Sequence, residues 1–174
     1  MENCGAGLKG TVMTDFTLRN EPQESDIQNV EQLIGGTHFF REKEIKIGSS
    51  LVLERLQKGE ESGYFFVFLE CGGKLSGYTC YGPIPGTESS FDLYWIAVEK
   101  KQQNAGFGTV LIEETEREIR KMGGTHIYIE TSSTQLYLPT RLFYEKKGYQ
   151  KECELCGYYK AGDDLVVYSK KFSR

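Results

Sequence analysis

The chain has 174 residues, 39% hydrophobic and 26% charged, with 10 Phe and 11 Tyr. That length suits one packed domain, and this composition excludes a disordered chain. With 21 Lys and Arg against 25 Asp and Glu, the formal charge of −4 gives no broad basic field, which argues against nucleic acid as a partner.

Residues 1–10 are glycine-rich and read as a flexible N-terminus, with residues 11–174 as a single domain. No apolar run resembles a signal peptide, and the longest, Phe65 to Leu69, is far below the roughly 20 residues of a membrane span. These features and the odd count of 5 cysteines predict a cytoplasmic protein with free thiols and no membrane partner.

Val12 to Leu18 alternates as a first strand, and Ser25 with Asp26 introduces a helix that carries Ile27, Val30, Leu33 and Ile34 before Gly35-Gly36. A second helix is predicted from Ser49 to Lys58, stopped by Gly59. The aromatic run Tyr64 to Leu69, the Gly72-Gly73 turn and Lys74 to Tyr81 predict a hairpin, and Gly82 to Gly86 breaks regular structure. Phe91 to Val98 is apolar on both sides and belongs in the centre of a sheet.

Thr109 to Met122 gives the strongest helical pattern, with Phe107, Val110, Leu111, Ile119 and Met122 as its apolar stripe. The pairs Glu113 with Arg117 and Glu116 with Arg120 are spaced for ion pairing. A strand at His126 to Glu130, a helix at Pro139 to Lys147 and strands at Tyr149 to Cys156 and Leu165 to Lys171 complete the chain.

Between the central strand and the strongest helix stands Gln103-Asn104-Ala105-Gly106-Phe107-Gly108. A glycine turn at a helix N-terminus offers unpaired N–H groups at the positive end of the helix dipole, where phosphate is stabilised. Tight strand-to-helix packing is the structural alternative. Leu111 stands where the dinucleotide fingerprint needs a small residue, and the chain has no Gly-Lys-Ser/Thr for a nucleotide-triphosphate loop.

Val98, four residues, then Gln103-x-x-Gly106-x-Gly108 resembles the motif of the GNAT superfamily of N-acetyltransferases. Phe143-Tyr144-Glu145-Lys146-Lys147-Gly148-Tyr149 is similar to that family's second segment. The resemblance implies an α/β (α+β) domain with a mixed, mostly antiparallel sheet of six to seven strands and about four helices. Its fourth and fifth strands, here Phe91 to Val98 and His126 to Thr131, would splay apart.

The resemblance also implies acetyl-CoA as co-substrate, held by Ile96, Ala97, Val98, Gln103, Asn104, Ala105, Gly106, Phe107, Gly108 and Thr109. The acetyl group would pass to a primary amine of a small molecule or peptide by direct attack in a ternary complex. Tyr144 would protonate the leaving thiolate. Asp92 stands where related histone acetyltransferases carry a catalytic glutamate, and Glu130 is the reserve base; Asp92 bonding a neighbouring strand is the structural alternative. Strict alternation would send Asp92, Tyr94, Ile96 and Val98 to one face. Tyr137 replaces a customary Asn seven positions before the tyrosine.

Two further readings stay open: a coenzyme-binding sensor or assembly module without turnover, and an enzyme using a longer acyl-CoA. Homodimer pairing through the last strands is also open. Cys153-x-x-Cys156 and the two histidines, His38 and His126, lack the partners of a metal site, so no metal is expected.

Overall fold

The computed structural model describes residues 15–172, so the expected N-terminal tail and the start of the first strand at Val12 lie outside the described residues. The elements run β1 (Phe16–Arg19), α1 (Ser25–Thr37), α2 (Glu42–Lys58), β2 (Phe65–Cys71), β3 (Lys74–Pro83), β4 (Ser90–Val98), α3 (Phe107–Lys121), β5 (His126–Ser132), α4 (Leu138–Lys146), β6 (Gln150–Lys160) and β7 (Asp163–Lys171). They form a 7-stranded sheet in the order β1-β2-β3-β4-β5-β7-β6. Only β4 and β5 run parallel; every other neighbouring pair is antiparallel.

The aromatic run of β2 explains why helices cover both faces of this part of the sheet. Phe66 and Phe68 enter one core with Val30, Ile34 and Val52 of α1 and α2. Val67 and Leu69 enter the opposite core with Leu111, Ile112 and Ile119 of α3 and Tyr144 of α4. Burying each large apolar side chain contributes about 1.5–3 kcal/mol, so leaving either face bare would forfeit several such contributions. No helix among the described residues is long and apolar enough to cross a membrane.

Several boundaries differ from the sequence-based expectation. α1 continues through Gly35-Gly36 to Thr37, and His38 closes it at φ 61°. α2 begins at Glu42 rather than Ser49. Gly48 lies inside α2, where a Cβ would lie 2.5 Å from Ile34 Cδ1 and 3.3 Å from the Tyr78 hydroxyl. Close approach of α2 to α1 and the sheet therefore accounts for that glycine. β3 also extends through Gly82 to Pro83 instead of stopping at Tyr81.

The expected pairs along α3 do not form. Glu113 bonds Lys147, Glu116 bonds Lys170, and Arg117 pairs with Glu114. Partners just after α4 and on β7 thus replace exposed same-helix partners, tying α3 to both segments. Met122 lies beyond the helix and is 42% exposed, whereas Ile112, missing from the expected stripe, is fully buried.

Candidate active site

A local opening in the sheet organises the site. β4 and β5 pair only at Ser90↔His126, Phe91↔Ile127 and Asp92↔Tyr128. Beyond Asp92, β5 continues beside β7 as far as Ser132↔Leu165, leaving the β5-facing edge of β4 without a strand partner. The two strands part as the family resemblance implies.

A β-bulge accompanies this parting. Leu93 lies opposite Tyr81 and Trp95 opposite Cys80, so Tyr94 is the extra residue in β4. A bulge bends its strand and resets alternation. Phe91, Leu93, Ile96 and Val98 consequently contact the α3 core, whereas Trp95 and Ala97 contact the α1–α2 core. The expectation that Asp92, Tyr94, Ile96 and Val98 share one face is therefore incorrect: Asp92 alternates with Phe91 and Leu93 and lies on the opposite face from Ile96 and Val98.

Main-chain direction follows from a hydrogen bond at the end of β4, where Glu99 N donates to Ser76 O at 2.8 Å. Alternation back from Glu99 turns the N–H of Ala97 toward β3. The N–H groups of Val98 and Ile96 face the opening instead. Gln103 Nε2 donates to Val98 O at 3.3 Å, folding the following turn against the strand end.

That turn has two left-handed residues, Asn104 at φ 67° and Gly106 at φ 90°. Nothing lies within 4 Å of the position a Gly106 Cβ would occupy. Thr109 N and Val110 N donate to Gly106 O at 3.0 and 3.2 Å, while the N–H groups of Gly106, Phe107 and Gly108 have no main-chain acceptor among the described residues. Free donors therefore meet the positive end of α3, an arrangement suited to an anion.

Asp92 and Glu130 carry charge beside the opening. Asp92 is half-buried, and burial followed by repulsion from Glu130 raises its pKa to about 6. Neither carboxylate has a salt-bridge partner among the described residues. Burial and Asp92 push Tyr94 up to about 12, and burial and Glu130 do the same to Tyr159 on β6.

Tyr144 is buried among three aromatic rings, Phe143, Tyr149 and Tyr168, with centroids 5.7, 5.9 and 6.0 Å away. Tyr149 donates its hydroxyl hydrogen to Glu116 at 3.0 Å, and Tyr168 donates to Glu145 at 2.9 Å. Tyr144 forms no corresponding side-chain bond among the described residues; burial, then nearby Tyr137, raises its pKa and holds it as a phenol. Arg141 anchors α4 by donating to Ser132 O at 2.6 Å and Thr134 O at 2.9 Å.

Two aromatic contacts were not anticipated from sequence. Phe40, in the α1–α2 connection, packs on Trp95 of β4 at 4.9 Å, and Phe39 meets Tyr137 before α4 at 6.0 Å. Tyr137 also donates its hydroxyl hydrogen to Phe39 O at 3.4 Å. No local pattern marks this pairing, because its partners are 98 positions apart. Cys153 and Cys156 are exposed, and no cluster of three His, Cys, Asp or Glu suited to a metal ion occurs among the described residues.

A model of the acetyltransferase (GNAT) family matches residues 29–149. A crystal structure named for an acetyltransferase of that family, from Desulfovibrio desulfuricans, is 38% identical, with TM-score 0.89 over 90% of this chain and 99% of that one. The ribosomal-protein-S18-alanine N-acetyltransferase of Escherichia coli is 20% identical, with TM-score 0.73 over 92% and 96% of the two chains. An aminoglycoside 6'-N-acetyltransferase solved with coenzyme A is 18% identical, with TM-score 0.69 over 90% and 98%. No curated protein sequence matches.

Proposed function

Because the chain belongs to the acetyltransferase (GNAT) family, we propose that it transfers the acetyl group of acetyl-CoA to a primary amine of a small molecule or peptide. The observation carrying this reading is the continuity of the open β4 edge with the free N–H groups of Gly106, Phe107 and Gly108. Phosphates of the coenzyme would sit at the α3 N-terminus, and its extended arm would pair through Val98 as an added strand, which leaves Ile96 N–H for the thioester carbonyl. Gln103, Asn104, Ala105 and Thr109 form the remainder of this binding segment. The family-implied contact at Ala97 is assigned to packing, because its main chain is directed toward β3.

Asp92 takes a proton from the attacking amine, with Glu130 as the reserve base. The nitrogen bonds to the thioester carbonyl carbon while Ile96 N–H stabilises charge developing on the oxygen. As the carbon–sulfur bond breaks, Tyr144 gives its phenolic proton to the departing thiolate, and exchange with solvent then reprotonates the phenolate and frees Asp92 of the proton it took. Proton removal from the amine and proton delivery to the thiolate thus fall to separate groups, and direct attack needs no acetylated side chain.

Coenzyme-A calorimetry and a thiol-release assay with an amine panel test this reading, with acetylated product read by mass. Binding with matched thiol and product formation is expected in a cytoplasmic-type reducing buffer. Failure to bind coenzyme A would reject it; binding without product across the panel would favour a sensor or assembly module. Comparison of acetyl with longer acyl thioesters tests donor length.

Gly106→Val should weaken coenzyme affinity by at least about tenfold. A β-branched residue is strained at φ 90°, costing about 1–2 kcal/mol, and its side chain enters the phosphate approach. Calorimetry checks affinity, and circular dichroism checks folding.

Tyr144→Phe should reduce kcat on the order of 10²-fold, near the low end for general-acid catalysis, because a thiolate leaves readily. Coenzyme affinity should remain unchanged. Equal turnover by the variant would remove the proton-delivery role.

A further inference from the structure

Two aromatic contacts, joined through the consecutive residues Phe39 and Phe40, link segments that flank the opening. Trp95 is on β4; Phe40 and Phe39 are consecutive in the α1–α2 connection; Tyr137 precedes α4, which follows β5. The Trp95–Phe40 and Phe39–Tyr137 contacts therefore link elements on opposite sides of the parted strands. His38 supports this path by ending α1 in a left-handed conformation at φ 61°. Ring pairs between otherwise separated elements would limit how far those elements can part, while Asp92 and Glu130 supply negative charge.

We propose that the Trp95–Phe40–Phe39–Tyr137 row selects acceptors whose primary amine terminates a slender, unbranched alkyl chain. This specificity rests on the acetyl-transfer reading and identifies its acceptor class. The aromatic rings receive the methylene chain and favour an approaching ammonium through their negative faces. Asp92 and Glu130 attract the cationic end before Asp92 removes the reacting proton. Branching beside the amine increases its width where the row is least able to give way. A rigid ring bearing the amine has the same difficulty.

The test compares straight-chain primary alkylamines and diamines with isomeric amines branched beside nitrogen. Wild-type protein, Phe39→Ala and Tyr137→Phe are assayed by kcat/KM, with coenzyme-A affinity and thermal unfolding measured in parallel. Wild type should favour the straight isomers by about tenfold or more, within the discrimination available from a methylene-sized mismatch. Phe39→Ala should bring that ratio down toward unity by admitting the branched amines. Tyr137→Phe, which retains the ring but removes the 3.4 Å hydrogen bond, should lower it less.

An unchanged ratio in folded, coenzyme-binding Phe39→Ala would overturn the proposal, as would wild-type preference for branched isomers. Coenzyme binding with no turnover of any straight amine would overturn it too. Loss of coenzyme binding by wild type would instead reject the acetyl-transfer reading on which it rests. A fall in stability with the wild-type ratio retained would assign the ring row to packing alone.

Discussion

Asp92→Asn is expected to lower kcat/KM by about 10³-fold, within the range for loss of a positioned general base. Asparagine keeps the size of the side chain but cannot take the amine proton. Burial and the Glu130 charge hold Asp92 near a pKa of about 6, so it is mainly ionised at neutral pH. Acidification through that value protonates it and removes the base. An alkylamine with pKa about 10.4 also loses its neutral form as pH falls, so the Asp92 limb appears as a steepening below pH about 6.

Steady-state rates across pH test both parts. Asp92→Asn should remove the steepening while preserving coenzyme affinity. Glu130→Gln should move it to lower pH, because removing the neighbouring negative charge makes Asp92 easier to ionise. Full activity and an unchanged profile in Asp92→Asn would eliminate Asp92 as the base. Loss of the same limb in Glu130→Gln would transfer the role to Glu130.

The separate standing of these two carboxylates could not be read from alternation. Their strands and approximate positions were legible: the apolar Phe91 to Val98 segment indicated a central strand, and His126 to Glu130 its neighbour. Alternation alone could not reveal Tyr94 as a bulge, because that depends on β3 pairing Cys80 with Trp95 and Tyr81 with Leu93. The phosphate-ready turn was more visible, since Gly106 and Gly108 occupy a short strand-to-helix connection. Charge spacing along α3 was misleading because tertiary partners, Lys147 and Lys170, outcompeted the exposed same-helix arginines. The Phe39–Tyr137 contact needed long-range folding to bring its two segments together.

Asp26→Ala should reduce folding stability by about 3 kcal/mol, near the lower end expected on breaking a buried ion pair. Asp26 is fully buried and accepts from Arg19 Nη2 at 2.6 Å and Arg19 Nη1 at 2.7 Å. It also accepts from Gln23 N at 2.7 Å, while Arg19 reaches Glu70 at 2.7 Å and lies 4.3 Å over the Phe68 ring. Alanine would abandon both donors and loosen the junction of β1, β2 and α1. Urea unfolding should show a lower midpoint with a similar slope. The paired change Arg19→Met with Asp26→Leu should recover part of the loss, because it refills the buried site with apolar side chains and leaves only the partly exposed Glu70 without its partner. An unaltered midpoint in Asp26→Ala would reject the stabilising role. If the loss occurs but the paired change recovers none, the polar geometry at this junction must itself be needed.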